Sequence, residues 1–208
     1  METLAAAHRE AYLNLAPESA GEPFVLGVAG LHRGAGSTTT ALAAARCLAG
    51  GLGSVGLIDT ETGDPGGAAS EHLAEALGLL HSQTLAEAAL AGRPASAAMV
   101  HAEQDQTCVA ITGDLTGVPI AAAEATLGQF ASSRPLTIVD LGPVLDRKAS
   151  WECGSLSTLA AAIKPTGVVL VRATGDLSGA VSAAQRLVES TGAPVLGLVE
   201  NRAAASTL

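Results

Sequence analysis

The sequence predicts an α/β fold: a doubly wound, mostly parallel sheet flanked by helices. Three observations carry that expectation. Apolar, β-branched runs recur along the chain and are continuous rather than alternating, as strands buried on both faces require. Between most of them lie Ala/Leu/Glu segments with apolar residues at helical spacing, so strand and helix alternate. The first strand also runs directly into a glycine-rich turn and then an alanine-rich helix.

Residues 1–20 are expected to form an N-terminal helix, and residues 24–202 the core of a single domain spanning 1–208. Phe24 to Ala29 is the first strand, and Leu31 to Thr40 the loop that follows it. Thr38 to Leu48 reads as the first core helix, with the Ser and Thr hydroxyls before it suited to capping. Ser54 to Asp59, Thr107 to Thr112, Leu136 to Asp140, Gly167 to Arg172 and Pro194 to Val199 are the remaining strands. Ala68 to Leu79, Leu85 to Ala91, Ile120 to Ala131, Leu156 to Ile163 and Ser178 to Ser190 are the helices between them. Gly, Asp and Thr in Thr60 to Ala68, and the stretch Asp146 to Ser155, mark loops.

Composition narrows the function. Aromatics are confined to Tyr12, Phe24, Phe130 and Trp151, so the core must be built from Ala, Leu and Val, and helices can lie close to the sheet. A formal net charge of −9 disfavours nucleic acid as a partner, since neutralising phosphates needs clustered Lys and Arg. Cys47, Cys108 and Cys153 are odd in number and widely spaced, which fits buried thiols in a reducing compartment rather than disulfides or a zinc site. The charged N-terminus (Glu2, His8, Arg9, Glu10) and the lack of a long apolar run predict a cytoplasmic protein with no direct membrane insertion. His8, His72, His81 and His101 have no metal-ligand spacing.

In an open parallel sheet, ligands bind outside the carboxyl ends of the strands. Three of those ends carry chemistry here. The first leads into His32-Arg33-Gly34-Ala35-Gly36-Ser37-Thr38-Thr39, a loop that could present backbone N–H groups and a helix N-terminus to phosphate oxygens. The second ends in Asp59-Thr60-Glu61 and another in Asp140-Leu141-Gly142-Pro143. Each aspartate alone could be a polar strand terminus, and the glycines a tight turn. Together they suggest a nucleotide site, with Thr38, Asp59 and Asp140 around Mg²⁺ and with Asp59, Glu61 and Asp140 as candidate catalytic acids.

The order of these pieces resembles the bacterial tyrosine kinases, the cytoplasmic ParA/MinD-related P-loop kinases of capsule and exopolysaccharide export. The segments that carry the resemblance are Thr38 to Ala43, Val55 to Glu61 with Pro65, Leu136 to Asp146, Val168 to Ala173 and Ala193 to Arg202. The resemblance implies a P-loop NTPase-like sheet and Mg-ATP or Mg-ADP between the loop and the two aspartates. It places Arg33, Gly34, Ala35, Gly36, Ser37, Thr38 and Thr39 around phosphates, and Asn201 and Arg202 near the adenine. An ordinary turn accounts for Asn201-Arg202 equally well. The implied partner is the cytoplasmic tail of a membrane polysaccharide co-polymerase, which would bring the chain to the inner membrane, with homo-oligomerisation a family habit.

Several positions depart from that pattern. Ser37 stands where the phosphate-loop lysine belongs; the two lysines, Lys148 and Lys164, lie far downstream. Losing that contact removes about 1.5 to 3 kcal/mol of binding, and roughly 10² to 10³ in rate from the transition state. Glu61 replaces a second aspartate, Gly63-Asp64 replace basic residues, and Glu10 to Leu15, which resembles the family's oligomerisation helix, lacks its arginines. The family's C-terminal tyrosine cluster has no counterpart, since Tyr12 is the only tyrosine. A stretch around Arg147 to Ser155, with Lys148 and Trp151, is extra. The resulting expectation is a degenerate, pseudokinase-like regulatory or scaffold partner in exopolysaccharide synthesis and export. Its rivals are an atypical active kinase or ATPase using Arg33 or His32 in place of the lysine, and a ParA/MinD-like positioning switch, which the acidic balance disfavours.

Overall fold

The structure, a computed structural model, describes residues 23–52, 54–60, 83–102, 107–113, 115, 117–145 and 160–202. The N-terminal segment with Tyr12, the expected helix Ala68 to Leu79, Glu61, Gly63-Asp64 and the stretch Arg147 to Ser155 lie outside the described residues. In chain order the elements are β1 (Phe24–Gly30), α1 (Ser37–Leu52), β2 (Val55–Asp59), α2 (Leu85–Leu90), a 3-10 turn (Ala95–Ala98), β3 (Val100–Ala102), β4 (Thr107–Ile111), α3 (Ile120–Ser132), β5 (Leu136–Pro143), β6 (Gly167–Ala173), α4 (Ser178–Glu189) and β7 (Val195–Asn201). They build a seven-stranded sheet in the order β3-β4-β2-β5-β1-β6-β7. All pairings are parallel except β3 on β4, an antiparallel edge. This is the expected doubly wound α/β architecture.

Alanine sets how the layers meet. On one face α1 buries Ala41, Ala44, Ala45, Leu48 and Ala49, an i, i+3, i+4, i+7, i+8 stripe, against Leu26, Val28, Leu57 and Ile138. On the other face α2, α3 and α4 contribute Leu85, Ala89, Leu127, Phe130, Ala184 and Val188 to a second core with Ile58, Val139 and Leu170. Phe130 is fully buried against Gly56, where a Cβ would fall 2.9 Å from its ring and 2.8 Å from Thr137 Oγ1. α2 begins with a capping box: Thr84 Oγ1 accepts from the Glu87 N–H at 3.2 Å, and the Thr84 N–H donates to Glu87 Oε2 at 2.8 Å.

Two differences from the sequence expectation concern the sheet. β3 was not foreseen, because three residues at an antiparallel edge carry too little periodicity to register. β5 continues to Pro143 instead of ending at Asp140, by means of a bulge: Val28 pairs with Asp140 but Ala29 with Gly142, leaving Leu141 extra. Gly142 takes φ +68°, a conformation glycine reaches without strain.

Candidate functional site: phosphate loop and paired aspartates

β1, β2 and β5 are neighbours, so their carboxyl ends bring the loop and both aspartates together. Asp59 and Asp140 are register partners on adjacent strands and are 2% and 1% exposed, so neither is a solvated strand terminus. The bulge after Asp140 turns the Gly142 N–H back onto Asp140 Oδ1 at 3.2 Å. Thr38, in the first turn of α1, donates its hydroxyl to Asp140 Oδ2, and the neighbouring Ser37 hydroxyl further favours the ionised carboxylate. Thr60 Oγ1 donates to the Asp140 carbonyl. Burial outweighs these donors and, with the Asp59 charge beside it, pushes the Asp140 pKa up to about 6.

The loop itself is shaped by backbone. Gly34 and Gly36 take φ +83° and +96°, and the Thr40 N–H to Gly36 carbonyl bond (2.9 Å) starts the helix. The first-turn N–H groups after Gly36 therefore sit at the positive end of a 16-residue helix with no acidic residue in its own first turn. Leu31 N donates to the Val171 carbonyl (2.8 Å), Val144 N to the Gly30 carbonyl (2.7 Å) and Leu145 N to the Leu31 carbonyl (2.8 Å), so the start of the loop is fixed to β6 and to the chain leaving β5.

The two candidate substitute cations behave differently from a phosphate-loop lysine. His32 Nε2 lies 2.9 Å from Asp176 Oδ1 and Nδ1 lies 2.9 Å from the Arg33 carbonyl. Both partners are acceptors, an environment an imidazolium satisfies, and the ring faces the turn after β6. Arg33 is exposed, as are Gly34 and Thr39, while Ala35 is buried. Asn201, at the end of β7, donates its amide to the Ala35 carbonyl at 3.1 Å, and the exposed Arg202 pairs with Glu200 at 3.2 Å. Sequence reasoning overlooked Thr60, Gly142 and Asp176. Thr60 and Gly142 stand beside the two aspartates in sequence, and Asp176 sits in a Thr-Gly-Asp turn at another strand end.

No family model and no curated protein matches the sequence. Among solved structures, the kinase domain of the Escherichia coli tyrosine kinase ETK aligns at a TM-score of 0.72 and 19% identity, covering 98% of this chain and 77% of that one. The chain has the fold of bacterial tyrosine kinase domains. The VpsO kinase domain aligns at 0.70 and 19% identity, covering 97% of this chain and 96% of that one. A ParA family ATPase from Chlorobium tepidum aligns at 0.61 and 18% identity, covering 89% and 76%. The resemblance read from the motifs thus holds at the level of the P-loop α/β fold, and the fold-mates include both kinase and ATPase domains.

The residues at the strand ends suit a hard cation and a phosphate chain. The donor set of Thr38, Asp59 and Asp140 is all oxygen, the chemistry Mg²⁺ takes. A buried carboxylate that gives up its proton only near pH 6 gains from a cation beside it.

Proposed function

We propose that this chain is a degenerate bacterial-tyrosine-kinase-like protein. It keeps the metal half of a Mg-nucleotide site, has lost the phosphate lysine, and serves as a regulatory or scaffold partner in exopolysaccharide or capsule synthesis and export, with weak or no ATP turnover. The observation that carries this reading is Ser37, a neutral side chain in the first turn of α1, at the position where a lysine would reach phosphate. Thr38, Asp59 and Asp140 would hold the ion, and the first-turn amides of α1 would meet the phosphate oxygens. A bound Mg-nucleotide would supply a polarised phosphoryl group. The chain's own side chains can orient it and accept a proton at Asp59 or Asp140, but Ser37 brings no charge to the developing negative oxygens. The partner that fits is the cytoplasmic tail of a membrane co-polymerase, which would hold the chain at the inner membrane. Among the described residues no helix is long and apolar enough to cross a membrane.

Calorimetric titration of Mg-ATP and Mg-ADP into wild type and Ser37→Lys tests this reading. The expected result is weak or silent binding by wild type and a gain of about ten- to a hundredfold in Ser37→Lys, with no autophosphorylation of wild type. Tight wild-type binding together with turnover abolished by Asp59→Ala and Asp140→Ala would establish the atypical enzyme instead. The pairing of His32 with Asp176 tells against that second reading for His32.

A further inference from the structure

The phosphate loop is held from one side at two points. At the first, the His32 ring meets Asp176, 2.9 Å and 3.1 Å from its two oxygens, while Asp176 Oδ2 also accepts the Ala173 N–H at 2.9 Å. At the second, the Asn201 amide donates to the Ala35 carbonyl. That amide lies so close over Gly36 that a Cβ there would fall 2.1 Å from Nδ2 and 3.2 Å from Cγ. Asn201 is itself held, because its backbone carbonyl accepts the Thr174 N–H at 3.3 Å. The turn Thr174-Gly175-Asp176 and the end of β7 thus form a bracket that grips the loop at residues 32 and 35, directly before the amides a phosphate would meet.

One N–H of the Asn201 amide is taken by the loop carbonyl, which ties the end of β7 to the phosphate loop. Resting on the Mg-nucleotide reading above, we propose that Asn201 is a positioning residue of the phosphate loop, so that its contribution falls on the magnesium-bound phosphate chain whatever base that chain carries. The ligands on which this contact should act alike are Mg-triphosphates of either purine and inorganic tripolyphosphate.

The test is titration of Mg-ATP, Mg-GTP and Mg-tripolyphosphate into the full chain, its Asn201→Ala variant and its Asn201→Asp variant. Asn201→Ala should weaken all three by the same factor, about two- to tenfold, the worth of one neutral hydrogen bond. Asn201→Asp keeps the size but turns a donor into an acceptor facing a carbonyl, so it should weaken all three further. A loss confined to Mg-ATP, or no loss with any ligand, overturns the proposal. If wild type binds none of the three, the same titrations are made in the Ser37→Lys background; silence there as well sinks the Mg-nucleotide reading on its own account, and hydrogen exchange then decides the role of Asn201. Faster exchange at the Ala35 to Ser37 amides in Asn201→Ala upholds the clamp, and unchanged exchange refutes it.

Discussion

Replacing Asp140 with Asn should stabilise the ligand-free protein at neutral and alkaline pH and flatten its pH profile. In the unfolded chain this carboxyl has its ordinary pKa of 3.8, whereas in the fold burial raises it to about 6. The folded state therefore binds more protons throughout that window. The stabilising contribution is fully present below 3.8, falls as pH rises, and is gone once pH has passed about 6. A difference of about two units corresponds to roughly 3 kcal/mol between the extremes, of which about 1 kcal/mol falls between pH 5 and pH 8. Asn cannot ionise, so it avoids the desolvation penalty. It gives up part of this gain because its NH₂ cannot accept from both the Thr38 and Gly142 donors, a loss of about 1 kcal/mol. Urea unfolding of wild type and Asp140→Asn from pH 5 to pH 8 would read this. Wild type should lose about 1 kcal/mol more than the variant over that range, and the variant should be the more stable at pH 8. Parallel curves, or a less stable variant at pH 8, would refute the account of Asp140 as a carboxylate held against its desolvation.

Two further predictions concern the packing that holds the site. Phe130→Ala empties the fully buried position over Gly56 and should cost about 3 to 5 kcal/mol in chemical denaturation. Gly56→Ala should cost about 1 to 3 kcal/mol, because its methyl would enter the space of the Phe130 ring and the Thr137 hydroxyl; a thermal midpoint equal to wild type would show that α3 yields at no cost.

The parts legible in the sequence are those with local cause. β1, β2 and β6 read as strands because every residue, or nearly every residue, is apolar and buried, and α1 read as a helix from its alanine stripe. Asp59 and Asp140 were recognisable as candidate site residues because a charged group at the end of an apolar run needs an explanation. The end of β5 was misjudged because Gly142-Pro143 resembles a stop, whereas Gly142 absorbs a positive φ and the strand carries on past the bulge. Asn201 to Ala35 and His32 to Asp176 are separated by 166 and 144 residues, so no periodicity or turn chemistry announces them. Burial of the Asp140 carboxylate is likewise a property of neighbouring strands and helix, not of its own segment.

The bonds from Val144 to Gly30 and from Leu145 to Leu31 join only main-chain atoms. The spacing between the phosphate loop and the strand that bears Asp140 is therefore written in the backbone, where a change of side chain barely registers. The side chain at position 37 can differ while the two halves of the pocket stay aligned. Placing a lysine at position 37 is therefore a direct way to ask what the pocket fits.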